Sequence, residues 1–142
     1  WAGALWGMGL SIEQVVVGAG SRRQAVLAGI DGLTAGGDTG LYDTTLPAVR
    51  EARRRWTPGS NVVVILSDGR NDDPGSASLS EVVSRLRSEQ DPERPVQVYT
   101  IAYGAQADAS ALRAIATATG GASFTATNPA DLQRVLLLSL TS

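Results

Sequence analysis

Asn61-Val62-Val63-Val64-Ile65-Leu66-Ser67-Asp68-Gly69-Arg70-Asn71-Asp72-Asp73 decides how this chain is read. Five consecutive apolar residues, Val62 to Leu66, run into a Ser-Asp-Gly turn and then a cluster of carboxylates. An unbroken β-branched run predicts a strand buried on both faces, the pattern of a parallel sheet. In open α/β sheets, ligands bind beyond the carboxyl ends of such strands. Asp68 is therefore placed where a metal or phosphate ligand would stand.

Working outward, Thr57-Pro58-Gly59-Ser60 breaks a preceding helix expected from about Asp43 to Arg55, in which Pro47 is tolerable only in the first turn. Downstream, Ser78-Leu79-Ser80-Glu81 is a Ser-x-x-Glu capping box, and Leu79, Val82, Val83 and Leu86 continue it as a helical stripe. Val96 to Tyr103 has the β-branched and aromatic content of a strand. Asp108 is expected to cap a helix to about Thr119, ended by Gly120-Gly121. Ala122 to Thr127 is a short strand, and Asn128-Pro129 opens a last helix to about Leu140. Upstream, Ala4 to Leu10 and Glu13 to Val17 are expected as short strands, and Ser21 to Leu33 as a helix. From Asn61 onward strand and helix alternate, which predicts an α/β fold with a doubly wound, mostly parallel sheet and right-handed crossovers.

Composition narrows the chemistry. The 142 residues fit one domain, 1–142, with a single core. No apolar run approaches the roughly 20 residues of a membrane span. The formal net charge of -2 argues against nucleic acid as the main partner. The chain has no Cys and no His, and all of its 12 basic residues are Arg. That excludes Cys/His zinc sites, thiol nucleophiles and His-dependent triads. Any metal must be hard and oxygen-ligated: Mg²⁺, Mn²⁺ or Ca²⁺. No nucleophile and base are placed as a pair, so the expectation is a protein that is not an enzyme.

Three loops are expected at the ligand-bearing edge. Gly36 to Tyr42 and the residue after it offer Asp38, Thr39 and Asp43. Ser67 to Ser78 offers Ser67, Asp68, Asn71, Asp72 and Asp73. Gly104 to Asp108 offers Asp108. Turn chemistry accounts for Asp38, Asp72 and Asp73, and helix capping for Asp108. Asp43 reads as an ordinary helical surface position. Asp68 is harder to explain locally, because a bare turn before Gly69 does not require a carboxylate. The order of ligands after Asp68 does not match a calcium hand, and no glycine cluster has the spacing of a phosphate loop.

Several segments together resemble von Willebrand factor type A domains. Gly36-Gly37-Asp38-Thr39-Gly40-Leu41-Tyr42-Asp43 is similar to that family's Gly-Gly-Thr-x-Leu-Tyr-Asp-Ala segment. Val64-Ile65-Leu66-Ser67-Asp68-Gly69 is similar to its Val-x-Leu-Leu-Thr-Asp-Gly strand. Val98 to Gly104 resembles its next strand, and Leu112 to Gly121 with Phe124-Thr125-Ala126 its closing helix and strand. The resemblance implies a Rossmann-like fold and a metal-ion-dependent adhesion site, usually holding Mg²⁺, whose shell a partner carboxylate completes. It assigns Thr39 as the second-loop ligand and Asp68 as the third-loop ligand, with no catalytic residues.

The family's Asp-x-Ser-x-Ser element has no counterpart here. No Asp in the chain begins that spacing, and Asp73-Pro74-Gly75-Ser76-Ala77-Ser78 is one residue too long. The expectation is that the first strand and its loop lie upstream of Trp1 or come from another polypeptide. Metal binding by this chain alone is then expected to be weak or absent. The resemblance further implies a bacterial protein-interaction or adhesion module of the cell envelope, outside the cytoplasm. Its implied partners are a protein ligand presenting a carboxylate and a preceding solute-binding region. The alternatives are a cytoplasmic module coupled to an AAA+ ATPase, as in magnesium chelatase, or a carboxylate-metal hydrolase.

Overall fold

A computed structural model describes residues 40–128 together with Ala130, Asp131 and Arg134. The expected elements between Ala4 and Leu33, and most of the last helix, lie outside the described residues. Six elements alternate along the chain: α1 Leu41–Arg54, β1 Val62–Ser67, α2 Leu79–Ser88, β2 Gln97–Tyr103, α3 Ala109–Ala118 and β3 Ser123–Ala126. The three strands form a parallel sheet in the order β1-β2-β3. Val63 lies opposite Val98 and Ile65 opposite Thr100, while Ile101 lies opposite Phe124.

The local signals act as expected. The Ser78 hydroxyl accepts the Glu81 N–H at 3.2 Å and starts α2. Asp108 accepts the Ala111 N–H at 3.0 Å and starts α3. Gly120, at φ +72°, takes the left-handed turn that ends α3 at low cost. Asn128 accepts the Asp131 N–H at 3.0 Å, the cap expected at the last helix. Helix α1 begins two residues earlier than expected, so Pro47 stands beyond its first turn. Pro47 is exposed, so the Asp43 carbonyl left without its helical donor lies on the outer side of the helix.

Period-two alternation sorts the strands into two faces. Val63 and Ile65 of β1 with Val98 and Ala102 of β2 face one way. They pack against Leu41, Leu46 and Val49 of α1, Val82 and Leu86 of α2, and Leu112 and Ile115 of α3. Val98, Val82, Leu112 and Ile115 are fully buried there. The other face carries Val64, Ile101, Tyr103, Phe124 and Ala126. Tyr99 meets Phe124 edge-on on that side, with ring centroids 6.2 Å apart.

This arrangement corrects one expectation. Val62 to Leu66 is not buried on both faces: Ile65 is buried, but Leu66 is 40% exposed. The three described helices pack on the side to which Ile65 points, and Leu66 points to the other. An arginine–carboxylate pair ties the helical layer together. Arg50 of α1 donates to both carboxylate oxygens of Glu89, at the end of α2. No helix among the described residues is long and apolar enough to cross a membrane.

Candidate ligand edge of the sheet

Parallel strands bring the start of every following helix to one edge, and three described loops meet there. They are the entry to α1 at Gly40–Asp43, the β1–α2 connection after Ser67, and the β2–α3 connection after Tyr103. Asp108 N–H donates to the Gly69 carbonyl at 3.4 Å, joining the second and third of these. The Ser67 hydroxyl donates to the same carbonyl at 3.2 Å.

The first and second loops are tied more closely. The Tyr42 N–H donates to Asn71 Oδ1 at 3.2 Å, and the Ala77 N–H donates to Asp43 Oδ1 at 3.2 Å. Asn71 in turn donates to the Ser76 hydroxyl at 2.7 Å, and Ser76 donates to the Asp73 carbonyl at 2.9 Å. The Asp73 carboxylate lies beside Gly40, 3.9 Å from where a Cβ on that residue would be. It also accepts the Gly75 N–H at 2.9 Å.

The carboxylates at this edge therefore have different employment. Asp43 holds Ala77, Asp73 holds Gly75, and Asp108 holds Ala111 and the Ser110 hydroxyl. Those two hydrogen bonds hold the Asp108 carboxyl below the ordinary aspartate range, against partial burial, and the Arg70 guanidinium adds to the effect. Asp68 is exposed and makes no hydrogen bond or ion pair among the described residues. Tyr42 is half-buried. Burial first, and the Asp108 charge second, push its phenol above the ordinary value.

Of the two metal ligands expected from sequence, Asp68 stands at the carboxyl end of β1 as anticipated. Thr39 lies outside the described residues. Among the described residues no three acidic, His or Cys groups converge on a point where a cation could sit. The carboxylates of Asp43, Asp73 and Asp108 are instead turned to backbone amides. Sequence reasoning missed Asn71 as the link to α1. It also placed Asp43 on an ordinary helix surface, whereas its carboxylate spans to Ala77. The available signal was the Leu41-Tyr42-Asp43 motif itself, which lies at a helix entry without a capping side chain.

The von Willebrand factor type A domain profile matches residues 13–136. The chain belongs to that family. An A domain is a general protein-interaction or adhesion-type module on an α/β fold, in accord with the parallel sheet and its flanking helices. No curated protein matches this A domain. Among solved structures it is similar to proximal thread matrix protein 1 from the mussel byssus, at 25% identity and a TM-score of 0.55. That alignment covers 85% of this chain and 29% of the byssal protein. An uncharacterized membrane spanning protein from Vibrio fischeri aligns at 21% identity and a TM-score of 0.47, over 82% of this chain and 64% of that one. This A domain thus spans less than two thirds of either protein.

Proposed function

We propose that this A domain binds a partner protein at the carboxyl edge of its sheet, with Asp68 as the contact that decides binding. The observation carrying this reading is the state of Asp68. It is the exposed carboxylate at the end of β1, and among the described residues it is uncommitted while Asp43, Asp73 and Asp108 each hold a backbone amide. A carboxylate with no structural employment among the described residues, at the position where parallel sheets bind ligands, is available to a cation or to a partner's donor.

In this reading Thr39 and Asp68 contribute to a hard-cation site for Mg²⁺, Mn²⁺ or Ca²⁺. The chain has no Asp-x-Ser-x-Ser, so two groups alone hold such an ion weakly, and a partner carboxylate with further oxygen ligands completes the shell. The role is binding rather than catalysis. The absence of His, Cys and Lys supports this, since it leaves few candidates for a general base or nucleophile. The family resemblance supports placement outside the cytoplasm, in a bacterial cell envelope.

Affinity capture from an envelope extract in the presence of Mg²⁺ tests the reading. Wild-type protein is expected to retain a partner that Asp68→Ala does not. Identical captures by the two proteins would remove Asp68 from the interface. Calorimetry supplies the metal arm: the isolated chain should show no saturable Mg²⁺ or Mn²⁺ binding. Submillimolar binding abolished by Asp68→Ala would instead show a complete site in this chain.

A further inference from the structure

Helix α1 opens without a local cap. Its N-cap residue is Gly40, which has no side chain to accept the first free amides. The Tyr42 amide has no helical acceptor, being in the first turn, and it finds one 29 residues away in the Asn71 side chain. Asn71 is itself held by its donation to Ser76, which is anchored on the Asp73 carbonyl. One residue along, Asp43 accepts the Ala77 amide, 34 residues distant. The loop that begins at Asp68 is thus fastened to the helix entry at Tyr42 and Asp43, with the Asp73 carboxylate resting beside Gly40.

A cap of this kind does more than satisfy an amide. A serine at position 40 could cap α1 locally and would remove the need for Asn71 at the Tyr42 amide. A cap supplied from Asn71 makes helix entry and loop position a single structural choice. We propose that Asn71 is the positioning residue of this edge: it caps α1 from the neighbouring loop and fixes the Gly40–Asp43 segment against the Asp68 loop. Its importance for partner binding rests on the function proposed above. The fastening itself does not.

Amide hydrogen exchange on the ¹⁵N-labelled chain tests this without any ligand, so its outcome is separate from that of the capture experiment. Asn71→Ala should accelerate exchange at Tyr42 by about tenfold, the size of one net hydrogen bond. Ala77 should speed up with it, because the Asp43 contact depends on the same loop position. Core amides of Val82 and Ile101 should keep their protection. Asn71→Asp retains an acceptor for Tyr42 and should restore slow exchange at that amide. Unchanged Tyr42 exchange in Asn71→Ala would overturn the proposal. So would an equal loss of protection at Tyr42, Val82 and Ile101 that Asn71→Asp does not correct at Tyr42, since Asn71 would then act only through global stability.

Discussion

The Thr119 hydroxyl oxygen accepts the main-chain N–H of Val98 at 2.8 Å, in a buried contact between the end of α3 and the start of β2. The same hydroxyl donates to the Ala116 carbonyl at 3.0 Å. One side chain thereby closes the helix and satisfies a strand amide. Thr119→Val keeps the shape but leaves that buried N–H without an acceptor. It should cost about 1–3 kcal/mol, read from urea denaturation, whereas Thr119→Ser should recover most of the loss.

Gly120 and Gly121 follow directly, and they are glycine for different reasons. Gly120 needs a left-handed backbone at φ +72° but has open space around it. Gly121 lies against the Val98 carbonyl, so closely that an added Cβ would collide with backbone. Gly120→Ala should cost about 1–2 kcal/mol from conformation alone. Gly121→Ala should cost more, because neither the strand nor the helix end can move aside cheaply. A melting series in which Gly121→Ala is the milder change would contradict this packing.

Asp108 makes acid stability a local question. Its folded carboxyl is held below the usual value by the Ala111 N–H and the Ser110 hydroxyl. Its contribution is therefore present above the unfolded value of about 3.9 and is lost as pH falls through the folded one. Wild type should lose more stability than Asp108→Asn as pH falls from about 4 downward. Parallel denaturation curves at each pH measure the difference.

Tyr42 should behave in the opposite sense at alkaline pH. Its phenol is raised by burial and then by the Asp108 charge. The neutral form is favoured in the fold, so this contribution holds below the ordinary value of about 10 and fades as pH rises through the folded one. Ultraviolet titration should find Tyr42 ionising later than an exposed tyrosine. Asp108→Asn should shift that titration downward.

Asp68 and Asp43 should separate structural from functional carboxylates. Asp68→Ala removes no hydrogen bond among the described residues and should change stability by less than about 0.5 kcal/mol. Asp43→Ala strips the Ala77 amide of its acceptor and should cost about 1 kcal/mol. Thermal melts of the two variants, run beside the capture experiment, show whether loss of binding can occur without loss of fold.

Much of this architecture is written locally. The Ser78 and Asp108 caps, the Gly120 turn and the β-branched run from Val62 each act through neighbours a few residues away, so the sequence displays them directly. Asp68 is also legible, because it depends only on following a parallel strand. The burial of β1 is not. Whether Leu66 is covered depends on which face the helices occupy, and an apolar run looks the same in either case.

The sequence by itself determined the alternation of strand and helix, the family and the edge at which Asp68 stands, because periodicity and turn chemistry are local. The tertiary structure alone decided what the polar residues of that edge do. In the sequence Asn71 is one loop oxygen among several and Asp43 a surface acid. They became cross-loop fasteners because folding brings residues 29 and 34 positions apart within hydrogen-bond distance of amides that their own segments leave unsatisfied.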